Sequence, residues 1–163
     1  MKKYLSMIVC LLALSQCNQK SQGTAVVKDS DELSLNSKSL LKAYIDNDFS
    51  LWEELLSDDC EVLDNNDTLD KKTMIEGFKQ QHSLFSSFSL SEDYSRTNYF
   101  GNGDIWTNRW FTVKAIGNFT GETDYGRAHT NLKWENGKVV VFQLYSDPSF
   151  IIKEATAMSE MSK

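Results

Sequence analysis

Near Phe88 the sequence changes its period, and that change restricts the fold more than any other feature. Upstream, apolar residues recur at helical spacing. Leu40, Leu41, Tyr44 and Ile45 share one face of a helix expected over Ser39–Asn47, with Ser37 or Ser39 as its cap. Leu51, Trp52, Leu55 and Leu56 mark a short second helix from Ser50. Cys60–Leu63 reads as a short strand, and Asp64-Asn65-Asn66-Asp67 as a turn. Thr68 or Asp70 then caps a third helix over Lys71–Phe85, with Met74, Ile75, Phe78, Leu84 and Phe85 apolar. Downstream, aromatic, β-branched and hydroxyl residues dominate, and turn signals separate the runs. Gly101-Asn102-Gly103 and Asn136-Gly137 are hairpin turns between long strands. These strands are expected over Ser89–Phe100, Asp104–Ile116, Arg127–Glu135 and Lys138–Asp147, followed by a helix from Phe150. Helices first and an antiparallel meander after them make an α+β fold, with helices gathered on one face of a sheet.

The first 17 residues bear on location. Lys2 and Lys3 precede an apolar run, Tyr4–Leu14, that is too short to span a bilayer. Polar residues and Cys17 follow, the order of a secretory signal. Leu14-Ser15-Gln16-Cys17 resembles a bacterial lipobox, with Gln16 where Gly or Ala is usual. This implies a signal peptide at 1–16 and a lipidated Cys17; a plainly cleaved signal or an uncleaved anchor are the alternatives. Residues 17–35 are polar and read as a flexible tether, leaving 36–163 as one domain. The expected location is the bacterial cell envelope, by lipid anchor, at the outer membrane if the host has two membranes.

Charge and cysteine count narrow the partners. All 23 acidic residues lie beyond Cys17, whereas two of the 17 Lys and Arg lie within the signal. An acidic domain without a basic stripe is a poor fit to nucleic acid, which demands phosphate neutralisation. Membrane attachment would rest on the lipid, because anionic headgroups repel such a surface. Beyond Cys17 only Cys60 remains, and the chain has two His. That excludes a disulfide framework and argues against a zinc site. No metal and no cofactor are expected. Cys60 reads as a small buried hydrophobe before it reads as a nucleophile.

The order of elements carries a resemblance. Two helices, a short strand, a third helix and long strands lead to Leu132-Lys133-Trp134-Glu135-Asn136-Gly137-Lys138-Val139, then Tyr145-Ser146-Asp147. This resembles the nuclear transport factor 2-like superfamily, in its SnoaL-like, polyketide-cyclase branch, over about residues 37–147. The resemblance implies a cone-shaped, strongly curved antiparallel sheet packed against the N-terminal helices, a cystatin-like roll. It also implies a small-molecule pocket at the open end, and dimerisation through the outer face of the sheet. Family members include isomerases, dehydratases, cyclases and non-enzymatic binding modules, so fold does not settle function.

A pocket enzyme of this kind needs an acid or base within apolar walls. Asp147 closes the last strand and shares a face with Tyr145, Gln143 and Val141 by strand alternation. If that face looks inward, Asp147 can act as base and Tyr145 as hydrogen-bond donor. The plainer reading has Asp147 accepting backbone hydrogen bonds before Pro148. His129 lies mid-strand, and alternation points it away from the Ala128, Thr130, Leu132 and Trp134 face unless a bulge intervenes. Contact between His129 and Asp147 is doubtful, since they stand at unequal distances from the Asn136-Gly137 turn. Trp110 and Trp134 are candidate pocket walls, and Tyr44 and Trp52 can plug the cone from the helical side. In the long central strand Asn108 and Trp110 share one face, and Arg109, Phe111 and Val113 the other.

Three functions follow as expectations. The first is a lipid-anchored module that binds an apolar or amphipathic small molecule without turnover. The second is an isomerase-, cyclase- or dehydratase-like enzyme with Asp147 or His129 as base. The third is a structural or interaction domain, with a homodimer through the sheet.

Overall fold

The computed structural model describes residues 24–162. The proposed signal peptide, Cys17 and the first part of the tether lie outside the described residues. Element order is β1 (Ala25–Lys28), α1 (Glu32–Ile45), α2 (Ser50–Leu55), β2 (Leu56–Asp64), β3 (Asp67–Leu69), α3 (Lys71–Leu84), β4 (Phe85–Phe100), β5 (Ile105–Gly117), β6 (Thr123–Glu135), β7 (Lys138–Ser146) and α4 (Ser149–Met161). One seven-stranded sheet runs β1-β4-β5-β6-β7-β2-β3, antiparallel except where β2 pairs parallel with β7. Register shifts interrupt β4 at Phe85/Ser87 and Leu90/Glu92, and the β6–β7 ladder at Lys133/Trp134. Such bulges bend strands and increase twist, which curls the sheet around its helical side. The α+β architecture expected from the change of period is the one found.

The ordered chain begins before the expected boundary at residue 36. Ala25–Lys28 pairs with Thr97–Phe100 of β4. Asp31, not Ser37 or Ser39, caps α1, its carboxylate accepting from the Ser34 amide at 3.1 Å. The polar composition of this stretch conceals the reason. Ser34 and Ser37 are buried, because small hydroxyl residues let α1 lie close across the sheet.

A chain of buried donors fixes that crossing. Trp134 Nε1 donates to Thr107 Oγ1 at 2.9 Å. Thr107 and Thr97 hydroxyls lie 2.8 Å apart, as do those of Thr97 and Ser34, and Ser34 Oγ donates to the Lys28 carbonyl at 3.3 Å. Donation can therefore run in one direction from the indole to the end of β1, with each hydroxyl both giving and accepting. Thr107→Val keeps the shape but leaves the Trp134 indole N–H buried without an acceptor. We expect it to lose about 2 kcal/mol of stability, measurable by urea denaturation.

Other elements begin and end for legible reasons. Asp70 caps α3 by accepting from the Thr73 amide at 2.7 Å. Asn136 and Gly137 both take positive φ, 51° and 77°, as the two-residue turn between β6 and β7 requires. The main core joins Leu40, Trp52, Leu56, Val62, Ile75, Phe78, Leu132, Trp134, Val139 and Phe142. A smaller cluster of Leu84, Phe85 and Ala115 packs with Phe88, Phe150 and Ile151 beneath α4. Cys60 is buried in the main core, where burial pushes its thiol up to about 11, so it is a packing residue rather than a nucleophile.

Candidate functional site

The concave side of the sheet encloses a cavity of about 230 Å³. That is somewhat below the roughly 300–1,000 Å³ of common ligand pockets, and far more than one water needs. Its walls come from both core clusters. Leu40, Leu41 and Tyr44 of α1, Trp52 of α2 and Phe78 of α3 form the helical side. Phe111 and Val113 of β5, Leu132 of β6, and Phe142 and Leu144 of β7 form the sheet side. Phe150 and Ile151, in the first turn of α4, complete the lining. Gly126 is required there, because a Cβ at that position would meet the Phe150 ring at 2.6 Å.

Polar residues interrupt this wall, among them a second arginine, Arg127, and Asn65, Gln81, Thr130 and Ser146. Arg109 is 1% exposed, and its Nε donates to Asp93 Oδ1 at 2.8 Å. Its Nη1 donates to the Ser37 carbonyl, and its Nη2 has no partner among the described residues. Burial draws the guanidinium below its usual basicity, and the Asp93 carboxylate opposes that shift. The Ser37 hydroxyl is also buried and unpartnered. Tyr44 donates its phenol hydrogen to Gln81 Oε1 at 2.9 Å, and burial raises its pKa. Asp64 lies in the wall too, its carboxyl raised by burial and by the neighbouring Asp67 carboxylate. Strand register sets Arg109 opposite Thr130, Thr130 opposite Leu144 and Leu144 opposite Asp64. The cavity therefore carries a guanidinium and a carboxyl in one row, three strand spacings or about 14 Å apart along the sheet.

Of the residues singled out in the sequence, Tyr44 and Trp52 line the cavity. The other four tryptophan, tyrosine and histidine candidates do not. Trp134 is core, its indole held by Thr107. Trp110, His129 and Tyr145 lie in cross-strand register on the outer face of the sheet. The Trp110 and His129 rings stack at 4.7 Å with 10° between their planes, and Tyr145 follows at 6.1 Å. Beside this row, side-chain amides bridge four strands: Asn98 donates to Asn108, Asn108 to Asn131, and Asn131 to Gln143.

The inward reading of the Tyr145 and Asp147 face is thus corrected. At the β6–β7 irregularity Trp134 pairs with Val139 but Lys133 pairs with Val141. Val140 is the extra residue, so Val139 and Phe142 both face the core and everything odd-numbered beyond Val140 turns outward. Asp147 lies past the strand end, where its carboxylate accepts from the Ser149 amide at 2.9 Å. That bond holds its pKa down, the opposite of what a base working near neutrality needs. The plainer reading of Asp147 is the one the geometry matches. Alternation did place His129 outside. Burial under its neighbours lowers its pKa from 6.5, and a hydrogen bond that the ring donates to Asn131 opposes that shift. The ring is then neutral at pH 7, and stability associated with it is complete above 6.5 and lost as pH falls. An NMR titration should give His129 a midpoint below 6.5.

Arg109, Ser37 and Asp64 were not recognised as site residues from sequence. Arg109 had a signal: a single cation in phase with Phe111 and Val113 on one strand face. Ser37 had none, because serine in a polar stretch reads as linker. Among the described residues no group of three or more His, Cys, Asp and Glu is placed to hold a metal.

No protein-family model matches the sequence, and no curated protein is significantly similar to it. Solved structures do match in shape. AclR of Streptomyces galilaeus, described as a candidate hydroxylase, superposes with a TM-score of 0.61 at 14% identity, covering 76% of this chain and 85% of that one. A candidate polyketide cyclase of Pseudomonas putida gives a TM-score of 0.57 at 14% identity, covering 73% of this chain and 94% of that one. An NTF2-like protein of unknown function from Burkholderia pseudomallei gives 0.56 at 14% identity, covering 73% and 93%. With the curled sheet, the helices on its concave side and the cavity between them, these likenesses show that the chain has the nuclear transport factor 2-like fold.

Proposed function

We propose that this protein is an exported, lipid-anchored module that binds a small apolar or amphipathic molecule without transforming it. The observation that carries the binding reading is the cavity, with apolar walls from seven elements and the unpartnered groups of Arg109 and Ser37 among its lining residues. The resemblance of Leu14–Cys17 to a lipobox supports the anchor. The outer face supports pairing with a second copy, since Tyr94, Trp110 and Tyr145 are all exposed there.

A second reading, an isomerase- or cyclase-like enzyme, draws on one observation. Asp64 lies in the cavity wall with its pKa raised, the shift a general base in a pocket needs. It would replace Asp147 and His129 in that role.

Native mass spectrometry of the full chain, extracted from membranes of the producing cell, tests the binding reading. The expected result is a mass excess that disappears on denaturation and is absent from Leu144→Trp, in which the cavity is filled. The same excess on Leu144→Trp would contradict it. Cys17→Ser should move the protein from the membrane to the soluble fraction; unchanged membrane attachment would contradict the anchor.

A further inference from the structure

We infer that the Arg109 end of the cavity is an oxyanion subsite, and that the bound molecule is an apolar carboxylate accepting hydrogen bonds from Arg109 Nη2 and Ser37 Oγ. The inference rests on the binding reading above and adds the chemical class of the ligand.

A guanidinium is acceptor-free and permanently charged, so each of its nitrogens needs an oxygen opposite it. Two have one: Nε has the Asp93 carboxylate and Nη1 the Ser37 carbonyl. These two bonds fix the plane of the group. Arg109 lines the cavity, and its Nη2 has no acceptor among the described residues, in a side chain that is 1% exposed. The Ser37 carbonyl is already committed to the same arginine, which holds the two residues side by side, while the Ser37 hydroxyl is unpartnered. Arg109 and Ser37 thus bring two donors without protein acceptors to the cavity lining, which also includes Leu40, Leu41, Phe111 and Val113.

The protein's own carboxylates do not fill the position. Asp93 engages Nε, and Asp64 stands three strands away in the same row. Charge-assisted hydrogen bonds in such surroundings are stronger than neutral ones, and a carboxylate matches the planar geometry of a guanidinium edge. A neutral ligand leaves the charged donor less well satisfied. An apolar body with one terminal carboxylate meets both the walls and the end of the cavity.

The test is calorimetric titration of the full chain at pH 7 with two probes of one shape, 2-naphthoate and 2-naphthylmethanol. The acid should bind about tenfold or more tightly than the alcohol, as a charged acceptor on a buried guanidinium predicts. Arg109→Met should abolish that preference while leaving the alcohol bound. Ser37→Ala, which removes a hydroxyl without a protein partner and so keeps the fold, should reduce the preference. Equal binding of acid and alcohol to the unaltered protein overturns the inference and leaves the pocket reading standing. A preference unchanged in Ser37→Ala and Arg109→Met overturns it as well. Binding of neither probe overturns the pocket reading and this inference together.

Discussion

Glu154→Ala is expected to lose about 3 kcal/mol of folding stability, and Gly117→Ala about as much, although Glu154 lies in the terminal helix and Gly117 at the end of β5. Glu154 is fully buried. Its carboxylate accepts from the Phe119 amide at 2.9 Å, from the Thr120 amide at 3.3 Å and from the Thr120 hydroxyl. Without it, two half-buried amides in the β5–β6 connection lose their acceptor, and α4 loses its tie to the sheet. Gly117 leaves the space that the carboxylate fills: a Cβ there would stand 2.0 Å from Oε1. Since that oxygen is held by donors, the methyl of Gly117→Ala must expel it. The two changes break one contact, so the double variant should cost little more than either alone. Urea denaturation of the three variants measures this, and fully additive losses would refute it.

The same carboxylate has a signature in acid. Burial alone would raise its pKa, but the hydrogen bonds from Thr120 and Phe119 outweigh burial and hold it below its ordinary 4.5. A carboxylate depressed on folding contributes stability that is complete above its unfolded value and lost as pH falls through the folded one. Part of the acid destabilisation below about pH 4.5 should therefore vanish in Glu154→Ala. Because Phe150 and Ile151 of α4 line the cavity, this variant should also release a bound ligand faster.

Trp52→Ala is expected to cost about 4 kcal/mol, the usual range for removing a large buried aromatic. The ring is 4% exposed and packs against Phe49, Phe78 and Phe142, joining α2 to α3 and to the sheet. Its indole nitrogen donates to the Leu40 carbonyl at 2.9 Å, tying α2 to α1. It is also cavity wall, so its loss enlarges the pocket by most of an indole. Thermal unfolding should fall accordingly. An added apolar ligand that fills the space should return part of the loss by mass action, a recovery that a purely structural Trp52 would not give.

How much of this was legible follows from particular residues. Asn136-Gly137 announced its hairpin because both positions need positive φ, which few residue pairs tolerate. The start of α1 was hidden, because Ser34 is buried in a hydroxyl chain whose Thr97 and Thr107 lie 63 and more residues away in sequence. Parity placed His129 correctly on the outer face but failed for Tyr145. One extra residue at Val140 reverses the alternation, and no local signal marks it. The parallel pairing of β2 with β7 was equally silent, yet it brings Asp64 into the wall. The cavity itself arises from curvature, which bulges set and composition does not. Arg109 was visible as an odd cation on an apolar strand face; that one of its nitrogens lacks a partner needed the structure.

The concave and outer faces of the sheet predict different responses to a ligand. Methyl-resolved NMR of the full chain, titrated with 2-naphthylmethanol, decides between the faces. The concave cavity predicts shifts at the methyls of Leu40, Leu132 and Leu144, with the Trp110 indole and His129 ring resonances unmoved. Shifts confined to Trp110, His129 and Tyr145, with the cavity methyls silent, would contradict it.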